Sequence, residues 1–181
     1  MNYRPITDVW ILARPKVKYW GAFPAGFLGR ARDLLGVGID DPVLHVCGGR
    51  VRDYPYRGFG PDDCTLDLDK SLKPDFLADA NDPLPLYRND DHDYGRQEWG
   101  AVLIDRPYTL EDADHYKPGA MSMPDINKVL ANALKVAPRV GVLDYFIPRP
   151  PKGTRFVACV GVIVGFGNRG RFFTVFEREG L

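Results

Sequence analysis

Residues 42–49 read Pro-Val-Leu-His-Val-Cys-Gly-Gly, and this stretch decides the fold. Four residues, Val43 to Val46, form a short apolar run interrupted only by His45, and the run stops at a glycine pair. A buried strand entering a tight turn has this pattern: too short for a helix, β-branched, and bounded by residues with wide backbone freedom. Working outward, "CTLDLD" (64–69), "DFLADA" (75–80) and "GAVLID" (100–105) are further short apolar runs, each closing on aspartate. "RVGVLDYF" (139–146) is a fifth strand. The chain closes with "TRFVACVGVIVGF" (154–166) and "RFFTVFERE" (171–179), two long β-rich runs joined by Gly167-Asn168-Arg169-Gly170. Those turn residues between strand-forming runs predict an antiparallel hairpin.

Two segments carry helical periodicity instead. "GFLGRARDLLG" (26–36) places Phe27, Leu28, Ala31, Leu34 and Leu35 on one face, with Gly36 as the stop. "PDINKVLANALKVA" (124–137) puts Ile126, Val129, Leu130, Ala133, Leu134 and Ala137 on one face. Pro124 suits a first turn and Asp125 the positive end of the helix. Strands alternating with helices and ending in a hairpin predict an α/β fold: a three-layer sandwich around a mostly parallel seven-stranded sheet. The connection from Ala80 to Trp99, with "YRNDDHDYG" inside it, is expected to be a flexible, solvated loop.

With 181 residues, the chain suits one domain over 1–181, with no separate target-recognition domain. Composition is 45% apolar and 27% charged, without a run of the ~20 apolar residues that a membrane span needs. The expected setting is cytoplasmic, with Cys47, Cys64 and Cys159 as reduced, buried thiols. The three histidines, His45, His92 and His115, are spread along the chain, and no metal site is expected. The formal net charge of zero is a sum of unequal parts: +4 over 1–52, −10 over 53–114 and +6 over 115–181. That balance argues against uniform coating of nucleic acid, though a local basic face remains open. "RPKVK" (14–18) and "RPPKGTR" (149–155) are basic segments suited either to phosphate contact or to ordinary solvation.

In open parallel sheets, ligands bind at the carboxyl ends of the strands. Here four successive strands carry distinctive residues at those ends: Gly48-Gly49, then Asp67 and Asp69, then Asp79, then Asp105. An acid about 20 residues after a glycine turn can accept from ribose hydroxyls. Each feature alone also fits a plain turn or a helix cap; four in series point to a nucleoside-bearing ligand. The full G-x-G-x-x-G is missing, which disfavours a dinucleotide. Tyr145 and Phe146, ending the fifth strand, either border a base pocket or serve core or rim packing.

In order and content the chain resembles class I S-adenosylmethionine-dependent methyltransferases, in particular the small DNA adenine methyltransferase-like proteins of bacteria and their phages. The resemblance covers residues 17–178. "KYWGAFPAGFLGRARDLLG" (18–36) is similar to the segment that precedes the glycine motif, "VLHVCGGRV" (43–51) to that motif, and "LDLDKSLKPDFLADANDPLP" (66–85) to the region after it. "DRPY" (105–108) is similar to the catalytic Asp/Asn-Pro-Pro-Tyr. The resemblance implies that Gly48 and Gly49, beside Cys47, let the backbone approach the cofactor's methionine part. It places Asp67 on the ribose with Leu68 against adenine, Asp79 on the adenine amine with Ala80 beside it, and Phe23 along the cofactor site. Asp105 and the carbonyl of Arg106 would accept from the target amine, Pro107 would stiffen the corner, and Tyr108 would stack on the flipped base. Cys47 and Val51 stand where the family favours glycine, His45 where it favours an acid, and Arg106 where it favours proline.

The implied activity is methyl transfer to an exocyclic amine of a nucleobase, foremost adenine N6 in DNA. Transfer to RNA or to a small molecule, and a non-catalytic binding module of the same fold, are the alternatives. The implied cofactor is S-adenosyl-L-methionine and the implied partner nucleic acid, DNA ahead of RNA, with a target-recognising subunit as a further option.

Overall fold

The structure is a computed structural model and describes residues 4–17, 22–88, 96–116, 123–165 and 170–180. In chain order its strands are β1 (Ile6–Leu12), β2 (Val43–Val46), β3 (Cys64–Asp67), β4 (Phe76–Leu77), β5 (Tyr87–Arg88), β6 (Arg96–Gln97), β7 (Ala101–Ile104), β8 (Arg139–Asp144), β9 (Thr154–Val164) and β10 (Arg171–Arg178). Among the described residues three α-helices accompany them: α1 (Phe27–Leu35), α2 (Leu110–Tyr116) and α3 (Ile126–Ala133). The main sheet has eight strands in the order β1-β9-β10-β8-β7-β2-β3-β4. Neighbouring pairs are parallel except where β10 meets β8 and β9. The predicted antiparallel hairpin is therefore present, with Gly161 opposite Phe172; residues 166–169 of its turn lie outside the described residues.

The eighth strand is β1, which adds to the outer edge of β9 in parallel register, Val9 beside Gly161. Its alternation is partial, with Trp10 and Leu12 buried but Ile6, Val9 and Ile11 exposed. That blurred pattern hides a strand whose inward face alone meets the core.

Helix α1 covers one face of the sheet and α3 the other. Phe27, Leu28, Ala31 and Leu35 of α1 pack in one core with Val43, Leu103, Leu143 and Phe173. Val129, Leu130 and Ala133 of α3 pack in a second core with Leu44, Val102, Ile104, Val140 and Val142. Alternate residues of each strand thus feed opposite cores, as the two-residue period of a strand requires. Gly36 ends α1 at φ 70°, a left-handed position that costs glycine little. Asp125 caps α3 by accepting from the backbone of Asn127 and Lys128.

The Ala80–Trp99 connection is more structured than its composition implies. Leu84 and Trp99 are buried in the α3-side core. Trp99 Nε1 donates to the Pro85 carbonyl at 2.7 Å, and β5 pairs with β6. Asn132 of α3 donates to the carbonyls of Asn81 and Asp82, both at 3.2 Å. Apolar anchors and a buried amide therefore tie both ends of a segment whose polar centre, residues 89–95, lies outside the described residues. The cysteines are free thiols; as whole residues all three are half-buried, although the Cys47 thiol itself is enclosed.

Candidate functional site

β2, β3, β4, β7 and β8 run in one direction, so their carboxyl ends share one edge of the sheet. Short backbone bonds knit the tips together. Cys47 N donates to the Leu66 carbonyl at 2.8 Å, Asp105 N to the Val46 carbonyl at 3.2 Å, and Ala78 N to the Asp67 carbonyl at 3.1 Å. Gly49 N donates to Asp67 Oδ2 at 3.1 Å, joining the glycine turn to the acid of the next strand. Asp69 N donates to the other oxygen of Asp67 at 3.0 Å. Burial pushes the Asp67 carboxyl up, and the backbone donors of Asp69, Gly49 and Leu68 partly oppose that shift.

The turn itself departs from the glycine expectation in an informative way. Cys47 adopts φ 55°, a left-handed conformation that glycine takes freely and a side chain takes at a cost. A Cβ on Gly48 would lie 3.1 Å from the His45 carbonyl oxygen and 3.1 Å from Thr65 Cγ2, so a side chain there would crowd the protein's own packing. At Gly49, also with φ positive at 54°, a Cβ would meet nothing within 4 Å, so the open side of the turn is here. Burial drives the Cys47 thiol well above its ordinary range, and the charges of Asp67, Asp105 and Asp79 add to that effect while Arg106 works against it. Cys47 follows β2, which lies between β3 and β7, so it sits between the strand tips that carry Asp67 and Asp105.

Other predicted residues divide by environment. Leu68 is 51% exposed directly beside Asp67, while Ala80 is buried. Asp79 accepts from the backbone and side-chain amide of Asn81. Phe23 is 3% exposed, stacked on Phe27 with centroids 5.3 Å apart and edge-on to Tyr56. Its contacts are those of a core residue.

The Asp105–Tyr108 corner is held from two sides. Arg106 turns inward, its Nε donating to Asp144 Oδ2 at 2.8 Å and its Nη1 to the Pro124 carbonyl at 3.2 Å. Asp144 also accepts from the backbone of Tyr145 at 2.6 Å, so one buried acid fixes both the corner and the end of β8. The Arg106 side chain thereby stiffens the corner where the family pattern has proline. On the other side, the Tyr108 hydroxyl donates to Asp105 Oδ1 and accepts from Arg171 Nη1 at 2.6 Å. The Tyr108 and Tyr145 rings are 4.6 Å apart at 49°. Burial raises the Asp105 carboxyl to about 6, with Arg171 and the Tyr108 hydroxyl opposing the shift and Asp144 adding to it. Tyr108, expected as a free stacking surface, is therefore occupied at its hydroxyl end.

Arg171 and Asp144 were not foreseen as site residues. "RFFTVF" looks like a packed strand, but β10 runs antiparallel to β8, which carries its first residue to the carboxyl edge. The signal was the hairpin turn immediately before Arg171: a reversed strand begins where its parallel neighbours end.

No protein-family model matches the chain, and no curated protein matches its sequence. Among solved structures, TrmN from Thermus thermophilus is similar over 88% of this chain with TM-score 0.58 and 20% identity, and the chain spans 50% of that protein's length. HI0767 from Haemophilus influenzae, a proposed methylase, is 9% identical with TM-score 0.49, over 94% of this chain and 99% of its own. PH1948 from Pyrococcus horikoshii, a proposed RNA methyltransferase, is 12% identical with TM-score 0.49, over 91% of this chain and 95% of its own. At these identities the likeness speaks for the fold. The sheet order, with its single reversed strand, is that of the Rossmann-like methyltransferase fold.

Proposed function

We infer that the chain is an S-adenosylmethionine-dependent methyltransferase that acts on an exocyclic amine of a nucleobase in a polynucleotide, with adenine as the first candidate. The observation that supports this reading is the gathering of Gly49, Asp67, Asp79 and Asp105 at adjacent strand tips, with the Tyr108–Tyr145 aromatic pair beside Asp105.

The residues present fit the cofactor. Asp67 accepts from the backbone of Gly49 on one oxygen and of Asp69 on the other, with the Leu68 N–H a third donor, and a carboxylate's four acceptor sites leave room for a ribose hydroxyl. Leu68 offers an exposed apolar face for adenine, and Gly49 leaves its open side clear. Carboxylates at the tips of adjacent parallel strands suit a cationic sulfonium. When bound, the cofactor supplies an electrophilic methyl group.

The remaining work falls to the corner. An aromatic amine is a weak nucleophile because its lone pair is delocalised into the ring. The Asp105 carboxylate and the Arg106 carbonyl would accept its hydrogens and favour a localised lone pair. Arg106 and Asp144 keep that acceptor pair in place, so positioning supplies much of the rate. Tyr108 and Tyr145 would replace the stacking that a flipped base gives up.

Incubation with labelled S-adenosylmethionine and separate single-stranded DNA, duplex DNA and RNA substrates tests the reading. Label is expected on a nucleobase amine of one polymer, and on none with Asp105→Ala. Absence of label from all three, together with no calorimetric signal for the cofactor, would overturn it.

A further inference from the structure

Arg171 opens β10, and its side chain reaches the catalytic corner rather than the core. Its Nη1 donates to the Tyr108 hydroxyl, and its guanidinium carbon lies 5.5 Å from the centre of the Tyr108 ring. The Tyr108 hydroxyl has a single proton, which it gives to Asp105. Two of the groups a target base needs are therefore engaged with each other. The carboxylate that should receive the amine is capped by the phenol, and the phenol that should stack is pinned by the arginine.

The other arginines that hold this fold together have carboxylates. Arg32 pairs with Asp63, Arg106 with Asp144, Arg139 with Glu177 and Arg178 with Glu98. Among the described residues no carboxylate comes within 4 Å of Arg171; its hydrogen-bonding partner is a neutral phenol, and the Asp105 carboxylate acts on it from beyond that phenol. A half-buried guanidinium with a neutral acceptor keeps most of its capacity for an anion. Its planar fork of donors matches a phosphate, which binds it far more strongly than a phenol does.

We propose that Arg171 exchanges the Tyr108 hydroxyl for a backbone phosphate of the target nucleotide, and that this exchange releases the Asp105 carboxylate to the target amine. The idea rests on the nucleobase-methylation reading above and deepens it by assigning a phosphate subsite. Phosphate capture removes the donor that pins Tyr108, so the ring can turn toward the base while the amine takes its place on Asp105. A free nucleoside, lacking the phosphate, leaves Arg171 on Tyr108 and Asp105 capped. The site thereby selects nucleotides within a polymer over free bases and nucleosides.

The test is a double-substitution cycle on binding. Single-adenine oligonucleotides are prepared in which each phosphate flanking the adenine is replaced in turn by a neutral methylphosphonate, and anisotropy gives Kd for the wild-type protein and Arg171→Gln. One replacement is expected to weaken wild-type binding roughly tenfold, the worth of one charge-assisted phosphate contact, and to weaken Arg171→Gln less than about twofold. Arg171→Lys retains a charge without the fork and is expected to keep part of the sensitivity; it serves in place of Arg171→Gln if that variant does not fold. In turnover, Arg171→Gln is expected to raise KM for the oligonucleotide more than it lowers kcat. Equal sensitivity of wild type and variant to every replacement, or none in the wild type, overturns the phosphate subsite. If the wild type still methylates the oligonucleotide in that case, the subsite fails and the methyltransferase reading stands. If the wild type binds no polynucleotide, both fall.

Discussion

Asp63 immediately precedes β3 and Asp105 immediately follows β7, two strands that run in the same direction, so the two acids lie at opposite ends of one sheet. Asp63 is saturated with partners. Arg32 Nη2 donates to it at 2.5 Å, His45 Nε2 lies 3.0 Å away, and the backbone of Val43 and Gly60 donates at 3.0 and 2.9 Å. Burial opposes its ionisation, yet His45, the Gly60 N–H and Arg32 outweigh that and hold its carboxyl below the usual range. Asp105 is also desolvated but has a phenol and a more distant arginine, and its carboxyl rises to about 6. The contrast separates an acid that holds the fold from an acid kept short of partners, which is the condition for accepting a substrate's hydrogens.

The harshest way to break this contrast is Asp63→Ala. It strands the buried Arg32 guanidinium and two backbone donors, and a loss of about 3–5 kcal/mol is expected in urea denaturation. A loss below about 1 kcal/mol would mean that Asp63 is not the anchor its contacts imply. The sign of the pH dependence follows from its depressed value. The stabilisation is present above the ordinary carboxylate value of 3.8 and disappears as pH falls through the folded value, so acid unfolding should set in below that point.

Asp105→Asn sharpens the comparison from the other side. Because the folded value is raised, wild-type stability is highest below the ordinary value of 3.8 and declines as pH rises through about 6. The variant is therefore expected to be more stable than wild type at pH 8, by about 3 kcal/mol, with the difference vanishing below about pH 3. Melting curves at the two pH values check it; equal stability at pH 8 would mean that Asp105 is not frustrated. In turnover, wild-type activity should rise with pH through about 6 as the acceptor ionises, and the variant's profile should lose that limb.

Cys47→Gly probes strain at the same end of the sheet. It relieves a positive φ but loosens the unfolded chain, so a net gain of about 0.5 kcal/mol is expected by thermal melting. A net loss would place the value of Cys47 in its packing. The smallest stability effect belongs to Leu68→Ala, within about 0.5 kcal/mol for so exposed a side chain. Its cofactor affinity, by calorimetry, is expected to drop about tenfold, as burying a leucine face would imply. Unchanged affinity would remove Leu68 from the adenine site.

Much of the architecture was legible because local patterns and global packing agree. Apolar runs of four to six residues became β2, β7 and β8, and the 3.6-residue spacing marked α1 and α3 with Gly36 and Asp125 at their ends. The strand β1 escaped because only Trp10 and Leu12 of its residues reach the core. The site was legible in its parts and not in its wiring. Gly49 and Asp67, or Asp105 and Tyr108, are close enough in sequence to be read together. Arg106 with Asp144, 38 positions apart, and Arg171 with Tyr108, 63 apart, are not.

By itself the sequence settled where chains extend, where helices stop, and which acids follow which strands, since these depend on side-chain periodicity and backbone preference within a few residues. Tertiary structure alone decided which acid is satisfied and which is starved. Ionisation depends on burial and on partners brought from distant strands, and no local pattern encodes that Asp63 meets Arg32 and His45 while Asp105 accepts from Tyr108 with Arg171 beyond it.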